Sequence, residues 1–290
     1  MTVLAATANG LWPTGELAGR AVVDVVPIAG GGWRALAGGA VWGPGDEEVA
    51  RLPGPGPDAR CLVAVGDDLL IGTDEARLVR LSERGAVGAV ESFDAAEGRD
   101  GWYTPWGGPP STRSLSVAPD DGAVYVNVHV GGILRSSDGG QSWVPTIDVD
   151  SDVHQVLALG DGRVVAATAY GLAVSRDRGA TWSYVTGGLH ADYSRAVAVA
   201  GDWLLLSSST GPSTERGAVY RRPVEAGADV PFERCTDWFA GNVDTGSLAG
   251  NADGNAAMAS PDGTVFVSDD AGASWREVAS GLGRVSRLVL

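Results

Sequence analysis

The chain contains no lysine: all 21 of its basic residues are arginine, set against 36 acidic residues, for a formal net charge of −15. Without a lysine amine there is no Schiff-base chemistry and no lysine general base, and the glycine run at 30–32 has neither the lysine nor the strand-to-helix setting of a phosphate loop. The negative charge argues against a nucleic-acid or anionic-membrane partner across the general surface, leaving room only for local basic patches. Cysteine is scarce. Cys61 and Cys235 are remote from each other and from metal-ligating neighbours, and each reads as a packed thiol. Histidine is scarcer than the length would suggest, and His129, His154 and His190 fall on separate segments, so no metal and no cofactor is expected. Long apolar runs are missing as well. No stretch approaches the ~18 residues of a membrane helix, and MTVLAATANGLWPTG lacks the basic and apolar regions of a signal peptide. The expectation is a soluble, cytoplasmic monomer with no helix of useful length and no Gly-x-Ser-x-Gly nucleophile elbow.

Glycine, by contrast, is abundant, at 43 of 290 residues, which suits many short strands joined by turns. Three octets share one pattern, Ser-x-Asp-x-Gly-x-(Ser/Thr)-Trp: Ser136 to Trp143, Ser175 to Trp182 and Ser268 to Trp275. Each follows a short apolar run. A tight hairpin needs a short side chain that bonds its own backbone, supplied by Asp138, Asp177 and Asp270, and a residue tolerant of positive φ, supplied by Gly140, Gly179 and Gly272. The tryptophans would then bury a large ring beside the turn. One carboxylate per hairpin falls short of the six or more oxygens that calcium requires, so the octet reads as a structural staple.

The octets resemble the Asp-box, or BNR, repeats of sialidase-like β-propellers. Apolar runs like those before the octets occur at Leu11, Ala40, Leu78, Ile133, Leu172, Val219 and Val265, and seven units in 290 residues average about 41 each, a propeller-blade period. The chain is therefore read as all-β: a single domain over 1–290, a seven-bladed β-propeller of four-stranded antiparallel blades. Its last segment, VSRLVL, reads as a first strand, and its opening TVLAATANG matches the second strand RVVAATAYG. The two ends are expected to pair and close the ring, which removes exposed sheet edges.

Aligning the first strands exposes a column of Arg20, Arg60, Arg113, His154, Arg195, Gly246 and Arg287. Inward-pointing guanidinium forks there would select carboxylate or phosphate. Alternatively each arginine pairs with a neighbouring blade's carboxylate, because Asp58, Asp152 and Asp244 stand two residues ahead of the column. Loops predicted for the same face carry Trp102, Tyr103, Trp106, Tyr170, Tyr193, Trp238 and Phe239, which suit either sugar or peptide stacking or anchoring on the blades.

The resemblance implies two kinds of function. Its non-enzymatic branches, the sortilin-like receptors and photosystem-assembly propellers, hold protein partners, and this implies a binding platform for an acidic peptide, a protein or a carboxylated small molecule or sugar. Its sialidases use three arginines, a Tyr–Glu pair, an Asp and an Arg-Ile-Pro segment. Here Arg-Ile-Pro is absent and no glutamate falls near a predicted strand start, although Tyr193 or Tyr170 resembles a nucleophile in type. Its xyloglucanases are longer, with two propellers, and use two carboxyl groups about 6.5–9.5 Å apart, a role for which Asp152 and Asp244 are the candidates. Non-catalytic binding is the preferred expectation, with a glycoside hydrolase or lyase on the same face as the alternative.

Overall fold

A computed structural model describes residues 2–54 and 58–290. Strands and turns dominate, with one short helix, α1 (Glu91–Asp94). Two strands come first, β1 (Leu4–Thr7) and β2 (Gly10–Trp12). Six groups of four then follow in chain order. The first is β3 (Val22–Pro27), β4 (Trp33–Ala37), β5 (Ala40–Gly43) and β6 (Glu47–Arg51). The second is β7 (Ala59–Val65), β8 (Asp68–Thr73), β9 (Leu78–Leu81) and β10 (Val87–Ala89). The third is β11 (Ser111–Val117), β12 (Val124–His129), β13 (Gly132–Ser136) and β14 (Val144–Pro145). The fourth is β15 (Val153–Gly160), β16 (Arg163–Thr168), β17 (Gly171–Ser175) and β18 (Ser183–Val185). The fifth is β19 (Val197–Ala200), β20 (Trp203–Ser209), β21 (Gly217–Pro223) and β22 (Glu233–Arg234). The sixth is β23 (Leu248–Gly250), β24 (Ala256–Ala259), β25 (Val265–Ser268) and β26 (Arg276–Ala279), and the chain ends on β27 (Val285–Val289).

Each group of four forms its own sheet in sequence order, and β27, β1 and β2 make the seventh. This is a seven-bladed β-propeller. All seven apolar runs read from the sequence fall on the third strand of a sheet: β2, β5, β9, β13, β17, β21 and β25. The two ends pair antiparallel, Leu4 with Val289 and Ala5 with Leu288, as the match between the opening segment and a second strand implied. One detail differs. The seventh sheet has three strands instead of four, because residues 13–21 turn instead of extending. Pro13 has no N–H to give a ladder, and Gly15, Leu17 and Gly19 all adopt positive φ.

The described residues form two compact units, 2–21, 166–173 and 183–290 in one, 22–54, 58–165 and 174–182 in the other. Within each, the first strands of successive sheets pack side by side: β3 on β7, β7 on β11 and β11 on β15 in the second unit, β19 on β23 and β23 on β27 in the first. Polar side chains stitch these strands together. Asp24, 2% exposed, accepts from Val25 N and Leu62 N at 2.8 Å each, while Ser114 and Ser116 Oγ accept from Val156 N and Ala158 N. A first strand has no ladder partner on its inner edge, so these side chains satisfy backbone donors that burial would otherwise strand. Close approach also demands glycine. A Cβ at Gly250 of β23 would lie 2.2 Å from the Val199 carbonyl oxygen of β19.

The three octets build the same hairpin. Ser136 Oγ and Ser142 N donate to Asp138 Oδ1, Ser142 Oγ to Oδ2, and Gly140 N to Ser136 Oγ. The other two repeat this: Ser175, Gly179 and Thr181 around Asp177, and Ser268, Gly272 and Ser274 around Asp270. Hydrogen bonding by Ser142 holds the Asp138 carboxyl well below the usual range, and hydrogen bonding by Thr181 lowers that of Asp177. Both oxygens of each carboxylate are engaged by the hairpin's own donors, and Trp143 packs edge-on against Phe93 of α1 with ring centroids 5.2 Å apart.

Candidate functional site

In each sheet the chain enters the first strand at the end where the second and third strands are joined, so the long loops gather beside the arginine column. Three side-chain groups form at this end, two in the first unit and one in the second.

The first follows the column. Arg195, two residues ahead of β19, donates from Nη1 to Asp244 Oδ1 at 3.0 Å and from Nη2 to Tyr193 Oη at 3.1 Å. Arg284 Nη2 stands 3.6 Å from Asp244 Oδ2. Burial alone would lower the Arg195 pKa, but Asp244 and Tyr193 outweigh it and raise it. Gly246, the break in the column, makes room for its successor: a Cβ there would lie 2.6 Å from Ser286 O and 3.4 Å from Arg287 Nε. In the second unit Arg60 forks onto Asp74, Nε to Oδ1 at 2.7 Å and Nη2 to Oδ2 at 2.6 Å. Arg20 is exposed and Arg113 and Arg287 are half-buried, each with polar partners of its own. The two guanidinium groups whose partners are resolved, Arg60 and Arg195, are thus bound to carboxylates: Arg195 to Asp244 ahead of the next sheet, as the pairing alternative has it, and Arg60 to Asp74 of its own sheet instead of a neighbour's.

A second group lies on the fifth sheet. Arg216, in the loop between β20 and β21, and Arg234 of β22 both stand over the ring of Trp238, with Cζ to centroid distances of 3.8 and 4.4 Å. Both arginines are exposed, and among the described residues neither has a carboxylate within 4.0 Å. Trp238 keeps 39% of its surface open. His190 braces the group: its ring meets Trp238 edge-on at 4.7 Å, Nε2 donates to the Arg216 carbonyl at 3.2 Å, and Nδ1 accepts from Tyr220 Oη at 2.9 Å. Burial lowers the His190 pKa first, and the charges of Arg216 and Arg234 push it down further. The ring therefore stays neutral at neutral pH and holds its Nε2–H tautomer. The sequence drew attention to these loops but not to these two arginines. No local signal marks them, since each directly follows a glutamate, Glu215 and Glu233.

The third group is in the second unit. His129 ends β12, Asp152 precedes β15 and His154 is its second residue; histidines that look dispersed in the sequence have ring centroids 5.9 Å apart. Asp152 Oδ1 stands 3.2 Å from His129 Nε2 and 3.6 Å from His154 Nε2. Asp152 takes a left-handed backbone, φ 44°, ψ 63°. Burial would raise its pKa, yet His129, His154 and, more weakly, Arg113 outweigh this and lower it. Trp106, 74% exposed, lies over His129 with ring centroids 5.1 Å apart.

The remaining aromatic candidates divide. Trp102 is only 9% exposed and packs on Phe93 as part of the core, so it serves as an anchor. Tyr103 (46% exposed) donates to Asp150, and Tyr170 (55%) meets Tyr184 edge-on. Asp152 and Asp244 belong to different units, each with cationic or imidazole neighbours of its own.

Comparison with known proteins fits this picture of a fold with many uses. No family model matches the sequence, and no curated protein resembles it in sequence. Solved structures do match. The GH74 xyloglucanase of Xanthomonas campestris superposes over 96% of this chain with a TM-score of 0.63 at 15% identity, and this chain spans 47% of the enzyme, about half its length. YCF48 of Cyanidioschyzon merolae superposes over 92% of this chain and 87% of its own, with a TM-score of 0.61 at 12% identity. The extracellular domain of a putative one-component system from B. thetaiotaomicron covers 89% of this chain and 33% of its own, with a TM-score of 0.63 at 11% identity. At such identities the likeness shows the seven-bladed β-propeller fold and nothing finer. Among the described residues no helix is long and apolar enough to cross a membrane.

Proposed function

We propose that the chain is a non-catalytic binding propeller that holds an acidic peptide, or an acidic segment of a protein, at the loop end of its fifth sheet. The supporting observation is the pair Arg216 and Arg234 over the open Trp238 ring, two guanidinium groups without a carboxylate partner in a protein of net charge −15. With Arg60 and Arg195 bound to aspartates, two arginines on an aromatic platform give a local cationic surface suited to carboxylates. Trp238 supplies the apolar area, and His190 fixes the backbone that carries Arg216. Arg20, Arg113 and Arg287, with Trp106 and Tyr170, extend the same loop end of their sheets as further contact candidates, whereas His154, 0% exposed, is buried away from any peptide. Under this reading Asp152, Asp244 and Tyr193 are positioning residues, since a hydrolase needs one carboxylic acid and one carboxylate free to act on substrate.

The test is binding of a glutamate-rich peptide library. Arg216→Glu with Arg234→Glu should abolish capture, and the affinity of the unaltered protein should fall steeply with salt. Capture that survives both substitutions would reject the assignment.

A further inference from the structure

We infer that His129, Asp152 and His154 form a binding site for a transition-metal dication, with zinc the best match to the ligand set. The inference is independent of the peptide reading. Two imidazoles and one carboxylate are the nitrogen and oxygen donors that zinc and its first-row neighbours accept, and three protein ligands leave at least one coordination position open for water or an anionic group.

Geometry carries the argument. The three ligand atoms all lie within 4.8 Å of one another. Zinc–nitrogen and zinc–oxygen bonds of about 2.0–2.1 Å in tetrahedral geometry place neighbouring ligand atoms about 3.3 Å apart. The two distances to Asp152 Oδ1, 3.2 and 3.6 Å, bracket that edge, and rotation of the two rings about their side-chain bonds would bring the remaining edge into range. The direction of the groups agrees with the spacing. Asp152 Oδ1 is buried yet accepts no well-aligned hydrogen bond, even with His129 Nε2 at 3.2 Å.

The surroundings are those of a built site. His154 is 0% and His129 6% exposed, so both imidazoles are buried out of bulk solvent. They come from adjacent sheets, on β12 and β15, which are joined by Asn127 Nδ2 donating to Val153 O at 3.0 Å, two residues before His129 and between Asp152 and His154. Asp152 reaches between them only because its backbone turns into the left-handed region, a conformation uncommon for a non-glycine residue and concentrated at functional sites. The exposed indole of Trp106 lies against His129, with ring centroids 5.1 Å apart, beside the cluster.

The experiment uses the untagged full chain, stripped with a chelator, loaded with Zn²⁺ or Co²⁺ and dialysed. About one retained equivalent per chain is expected by elemental analysis, falling roughly tenfold or more in Asp152→Asn and His129→Gln but not in the exposed control Asp161→Asn. Because a variant at a buried position can fail to fold, the imidazole resonances of the unaltered protein give a second readout. Co²⁺ should shift or broaden those of His129 and His154 and leave His190 unmoved. Absence of retained metal in the folded chain, equal retention by the variants, or perturbation centred on His190 would each overturn the site.

Discussion

Arg195 Nη1 and Asp244 Oδ1 are 3.0 Å apart, joining the start of the fifth sheet to the residue that leads into the sixth. The same step recurs where Asp152, leading into the fourth sheet, reaches back to His129 of the third. An acidic residue ahead of one first strand thus meets a nitrogen-bearing side chain of the sheet before it, and polar contacts join neighbouring sheets at the loop end as well as packing. Arg195 is only 18% exposed, so removing its partner leaves a half-buried cation uncompensated. Asp244→Asn should therefore cost roughly 1–3 kcal/mol in urea unfolding. A change below a few tenths would mean that Arg195 finds another partner at once.

Asp24 makes a stronger demand on the fold. Its two oxygens satisfy Val25 N and Leu62 N, tying β3 to β7 in the core. Asp24→Ala leaves two buried amide donors without an acceptor and is expected to destabilise by roughly 2–4 kcal/mol. Asp24→Asn, which keeps one acceptor oxygen, should fall between it and the parent. Equal stability of all three in denaturant would show that water or a backbone shift replaces the carboxylate.

The octet hairpins should respond to acid. Partial burial of Asp270 opposes ionisation, but donation from Ser274 and Ser268 prevails and holds its carboxyl at about 2, against about 3.9 for a free aspartate. A folded-state value below the unfolded one means that the unfolded chain binds the proton first. The stabilisation is present above about pH 4 and disappears as pH falls toward 2. Asp270→Asn should flatten the stability profile across that window; an unchanged slope there would show that the hydrogen-bonded carboxylate contributes nothing.

How far the sequence leads depends on whether a residue's role is local. The octets, the seven third strands and the pairing of the ends were all legible, because turn chemistry and a repeated apolar run act over a few residues. The short seventh sheet was foreshadowed by Pro13 and Gly15, which the repeat alignment overrode. The column correctly marked strand starts, but whether Arg60 points at Asp74 or at solvent depends on a partner set by the loop between β8 and β9, outside the aligned strand. Nothing local joins His129 to His154, whose meeting requires two adjacent sheets in register, and nothing local marks Arg216 and Arg234, which converge on Trp238 from three separate positions of one sheet. Trp102 shows the opposite limit: a loop tryptophan beside glycines reads as exposed until Phe93 of α1 covers it.

The central claim, that Arg216, Arg234 and Trp238 receive an acidic chain, is tested most directly at Trp238 itself. Its indole N–H resonance, assigned by its loss in Trp238→Phe, should shift progressively on titration with a glutamate-rich peptide at low salt, return toward its starting position as salt is added, and stay fixed in Arg216→Glu/Arg234→Glu. A resonance that never moves while the same peptide binds elsewhere on the protein would contradict the account.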